Sequence, residues 1–115
     1  MRLLHIAFSW VLIMIGVIHI IFGFSTFSGF SISLLWFLGS GLAMIFISLI
    51  NFLFRINPHN TLAFRLCETG NLLMLIFIIA INIVNLMLPG VLGLISVSVL
   101  CLATHKTYTG KNTPA

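Results

Sequence analysis

Three apolar runs, 3–24, 32–54 and 62–88, each exceed the roughly 20 residues that a helix needs to cross a hydrocarbon core. Few folds accommodate such runs. In lipid every backbone N–H and C=O must be satisfied within the protein, which restricts spanning segments to helices or closed barrels. Runs of this length, without two-residue alternation, predict helices. A fourth run, 89–104, reaches spanning length if Pro89 occupies the first turn, where its missing N–H is harmless, and if Lys106 and Tyr108 anchor the far end at the interface. The expected fold is an all-α integral membrane bundle of four transmembrane helices forming one domain over 1–115, with a flexible tail at 107–115.

Composition points the same way. With 61% hydrophobic and 5% charged residues, the chain has too little polar surface to cover a soluble globule of its length. The same numbers exclude disorder. The five Lys and Arg form no stripe, so nucleic acid is not an expected partner.

Those cations instead suggest a topology. Arg2 precedes span one, Arg55 and Arg65 flank the second connection, and Lys106 and Lys111 follow span four. The connections at 25–31 and around Leu88-Pro89-Gly90 carry none. Lys and Arg concentrate on the cytoplasmic side, so both termini are expected there, in a bacterial inner membrane. Span one is expected to remain a helix rather than to act as a cleaved leader, because no Ala-x-Ala site follows it. Cys67 and Cys101 then fall toward the reducing side and are expected to stay thiols.

Glu68 is the only acidic residue, and it lies within span three. Ionisable groups at membrane depth are costly and mark candidate sites. Advancing about 100° per residue, each span owns a small or polar face. Span one carries His5, Ser9, Gly16, His19 and Gly23; span two Ser33, Ser40, Asn51 and Arg55; span three Glu68, Asn71, Asn82 and Asn85; span four Gly93, Ser96 or Val97, and Thr104. Comparing depths along the helices predicts a cytoplasmic-side cluster of His5, Asn51, Arg55, Arg65, Glu68 and Asn71. A second cluster, His19 with Ser33, Ser40, Asn82 and Asn85, is expected toward the outer side.

Each of these residues has two readings. Glu68 either pairs with Arg65, three residues earlier on the same helix face, or serves as a cation ligand or as a proton carrier working with His5 and His19. The Asn residues are expected to join helices by hydrogen bonds, and Gly39 with Ala43 offers a small-x-x-x-small packing pair. His5 and His19 stand about 21 Å apart along one face, a spacing that resembles the haem ligands of membrane b-type cytochromes, although nothing else in the chain complements His19. The Cys and His positions show no metal-ligand spacing, so no metal is expected. There is no second carboxylate, nucleophile turn or glycine-rich phosphate loop, which disfavours an enzyme.

The length and four spans are similar to those of the small multidrug resistance transporters, but that family carries its essential acid in the first helix, and this chain has its acid in the third. The run Leu35-Trp36-Phe37-Leu38-Gly39-Ser40-Gly41-Leu42-Ala43, with Leu49-Ile50-Asn51 after it and His19 before it, resembles uncharacterised small bacterial four-helix membrane proteins. That resemblance implies no activity. The expectation is therefore a non-catalytic accessory or interaction subunit, in contact with lipid and with a membrane-protein partner or a second copy of itself. The alternatives are a small oligomeric proton-linked transporter and a haem-binding membrane protein.

Overall fold

The computed structural model describes residues 1–112 and contains four helices: α1 (Arg2–Thr26), α2 (Ile32–Ile56), α3 (Thr61–Val84) and α4 (Leu88–Asn112). All four are long and apolar enough to span a membrane. They form an elongated antiparallel bundle, 58 × 23 × 21 Å, in which α1 packs on α2 and α4, and α3 packs on α2 and α4. The first and last helical residues therefore share one end.

Local chemistry sets the helix boundaries. The Ser31 hydroxyl accepts the Leu34 N–H at 3.2 Å, and the Asn60 side chain accepts the Ala63 N–H at 3.0 Å, so α2 and α3 each begin on a side-chain cap. Gly29 turns the first connection with φ +78°, a backbone region that side chains with a Cβ avoid.

Two boundaries differ from the sequence expectation. The turn between α3 and α4 lies at 85–87, not at Leu88-Pro89-Gly90. A helix continuing through Pro89 would drive its ring into the Asn85 carbonyl; the chain becomes extended at Asn85 instead, and Met87 O accepts the Val91 N–H to start α4. At the other end, the expected tail at 107–115 is helical through Asn112, and residues 113–115 lie outside the described residues. Tyr108 holds this extension in place, stacked on Phe64 of α3 with ring centroids 3.9 Å apart and its hydroxyl 3.3 Å from Thr61 Oγ1.

The middle of the bundle is packed by Leu12, Met44, Met74, Ile78, Val97 and Leu100, drawn from all four helices. The closest approach is between α1 and α2: a Cβ on Gly16 would lie 2.7 Å from Gly41 O, and one on Gly41 would lie 2.7 Å from Gly16 O. Small residues permit such backbone contact. The expected Gly39–Ala43 pair does not make it, because Gly39 faces outward with nothing within 4 Å of its Cβ position.

Candidate functional site

Between the apolar middle and the basic end, all four helices contribute to one buried polar knot. Asn51 of α2 and Asn71 of α3 face each other amide to amide, with Asn51 Nδ2 donating to Asn71 Oδ1 at 2.7 Å and Asn71 Nδ2 donating back at 3.2 Å. Cys67 Sγ donates to Asn51 Oδ1 at 3.2 Å, and Thr104 Oγ1 of α4 donates to the same oxygen at 3.4 Å. From α1, His5 Nε2 reaches Thr104 Oγ1 at 3.3 Å. His5, Asn51, Cys67, Asn71 and Thr104 are all fully buried.

Helical spacing explains the convergence. Cys67 and Asn71 are one turn apart on α3, and Asn51 anchors its spare N–H on Ile47 O, one turn back, at 2.9 Å. Ser9 and Ser48 line the same interior and bond the carbonyls of His5 and Met44, so their hydroxyls are satisfied within their own helices. The knot contains no acidic, Lys or Arg side chain and is closed to solvent. Its chemistry is hydrogen bonding between helices; the Cys67 thiol acts as a weak donor there and is inaccessible to a substrate. Both cysteines are free thiols.

The expected cytoplasmic-side cluster is thus assembled in part. His5, Asn51 and Asn71 meet in the knot. Glu68 does not, because it lies one position, and therefore about 100°, beyond Cys67 and faces the α3–α4 flank. Its partner is His105 rather than Arg65: Glu68 Oε1 is 3.8 Å from His105 Nδ1, while Arg65 is exposed. Glu68 Oε2 and His5 Nδ1 are buried without a hydrogen-bond partner. Arg55 lies at the bundle end, in a cleft of about 480 Å³ with Arg2 and Lys106.

The outer-side cluster does not assemble. His19 stacks face to face on Phe37, with ring centroids 4.4 Å apart. Ser33 is exposed, and Ser40 bonds the Phe37 carbonyl on its own helix. Asn82 donates to Ile78 O and packs against Gly90 of α4, where a Cβ would come within 2.7 Å of Asn82 Oδ1. Asn85 is exposed at the C-terminus of α3. Ser40 and the Asn82 Nδ2 group bond carbonyls of their own helices, while Asn82 Oδ1 is buried without a hydrogen-bond partner, and none of these side chains bonds another of the set.

Cys67 and Thr104 are the knot residues missing from the cluster expected on the sequence. Cys67 has a readable signal in its i, i+4 spacing to Asn71; Thr104 falls on the small and polar face of span four, but helix spacing alone does not join it to the Asn residues of the other spans. Among the described residues no group of three or more His, Cys, Asp and Glu is placed to hold a metal ion. The basic-end cleft and a shallow apolar one at Phe77–Asn85 are lined by neither His5 nor His19.

Comparison with family models, curated proteins and solved structures gives no match. The assignment therefore rests on the geometry of the knot and on the charges at the bundle end.

Proposed function

We propose that this protein is a non-catalytic integral membrane subunit, with both termini cytoplasmic, whose polar residues hold four helices together and whose apolar outer faces meet lipid and a membrane-protein partner or a second copy. The observation that supports this reading best is the reciprocal Asn51–Asn71 amide pair with Cys67 and Thr104. Every N–H of the two amides and the Asn51 carbonyl oxygen is directed at another helix or at its own backbone, which leaves only part of Asn71 Oδ1, itself buried, without a second donor.

The proton-carrier alternative finds its strongest support in the unpartnered Glu68 Oε2. It lacks continuity, since His5 is engaged with Thr104 and His19 with Phe37. Substitution separates the two. In sealed liposomes carrying an imposed pH gradient, wild type and Glu68→Gln are expected to leak equally slowly, and mild-detergent extracts of both are expected to retain the same stoichiometric partner or dimer. Gradient collapse by wild type that Glu68→Gln abolishes would replace the subunit reading with a carrier.

Haem is expected to be absent from the purified chain. His5 is enclosed and hydrogen-bonded, so binding an iron through it would require opening the knot. A Soret band lost on His5→Ala would overturn that expectation.

A further inference from the structure

The cleft at the basic end brings Arg2 from the start of α1, Arg55 from the last turn of α2 and Lys106 from the last turns of α4 around one space of about 480 Å³. Arg2 is near enough to Arg55 to repel it. Among the described residues none of these three side chains has an ion-pair or hydrogen-bond partner; the single acidic side chain of the sequence, Glu68, is paired with His105. Three like charges gathered in one cleft, with no acidic side chain among the described residues beside them, repel one another. An anion from outside offsets that repulsion.

We propose that this cleft binds the phosphate headgroup of an anionic phospholipid. The depth fits: the three cations stand at the ends of apolar spans, where headgroups lie. The shape fits as well, because Ile56 and Pro58 give the cleft an apolar edge for the glycerol and upper acyl carbons, while Thr107 is available as a hydroxyl donor. The volume suits a phosphodiester with its glycerol. Part of the Arg55 charge is already balanced by the carbonyl end of α2, but Arg2 sits at a helix N-terminus, where the backbone adds positive rather than negative potential. The net field in the cleft is therefore positive. The inference rests on the membrane placement of the chain and is independent of its role as a subunit.

Native mass spectrometry of the full chain released from nanodiscs of equal phosphatidylglycerol and phosphatidylcholine tests it. Wild type is expected to retain phosphatidylglycerol preferentially. Taking about fivefold, the worth of one cation against an anionic headgroup, for each cation that lines the cleft, Lys106→Gln should lower the preference about fivefold and Arg55→Gln with Lys106→Gln about 25-fold. Lys106 is exposed, so its substitution leaves the fold intact and keeps the test readable even where Arg55→Gln perturbs packing. Arg65, at the same end but outside the cleft, is the control, and Arg65→Gln should leave retention unchanged. The site is overturned if wild type shows no preference or if Arg65→Gln lowers it as much as Lys106→Gln. Displacement of the lipid by millimolar inorganic phosphate would overturn the lipid as the source of the anion. Every variant is scored after insertion into a bilayer, so failure here leaves the four-span reading standing.

Discussion

Asn51→Ala is expected to destabilise the bundle by about 3 kcal/mol, measured by steric trapping or detergent-titrated unfolding in micelles. Asn51 is the hub of the knot. Its Oδ1 accepts from Asn71, Cys67 and Thr104, and its Nδ2 bonds Asn71. Truncation leaves the Asn71 amide facing a cavity with its strongest partner gone, and an orphaned buried amide costs more than the hydrogen bond it made. Removing both amides avoids that penalty. The double change Asn51→Leu with Asn71→Leu should therefore cost less than the sum of the single Leu changes by about 1 kcal/mol, the scale measured for hydrogen bonds between membrane helices. Strict additivity of the two would mean that the amides are not coupled and that the knot is not what joins α2 to α3.

Gly41→Leu carries the second large effect. Its new Cβ would lie 2.7 Å from the Gly16 carbonyl oxygen and 2.6 Å from Ile20 Cγ1. A side chain such as Ile20 can turn aside, but a backbone oxygen inside a helix cannot, so α1 and α2 must separate and lose the packing around the crossing. A loss of about 3 kcal/mol is expected, at the upper end for overpacked cores. Gly39, two positions earlier, provides the contrast: its Cβ position is open, and Gly39→Ala should stay within about 1 kcal/mol of wild type. Equal damage from the two changes would place the α1–α2 crossing elsewhere.

These two glycines also show why the sequence was legible only in part. The number and approximate extent of the helices follow from apolar length, a property of each run by itself. Which small residue faces a neighbour does not, because Gly39 and Gly41 are about 200° apart around α2 and nothing in the Gly39-Ser40-Gly41 run says which way α1 lies. The same rotational ambiguity misdirected the reading of Glu68. As the only acid it drew the expected site toward itself, yet the seam of α3 runs through Cys67 and Asn71, leaving Glu68 on the flank beside His105. Arg65 looked like its partner by i, i+3 spacing, but an exposed Arg at a helix end can extend toward water at little cost. The end of α4 was hidden for a different reason. Residues 107–112 are polar enough to resemble a tail, and the Tyr108–Phe64 stack that keeps them helical is a tertiary contact.

The positions of the glycine crossing and the amide pair have a consequence for biogenesis. The crossing lies wholly within the first helical hairpin, whereas the amide pair bridges the first hairpin to the second. The α1–α2 hairpin by itself completes its backbone crossing but leaves the Asn51 amide without its partners on α3 and α4. Arrival of α3 and α4 then quenches that exposed amide, so the late half of the chain is captured by a polar debt left open by the early half.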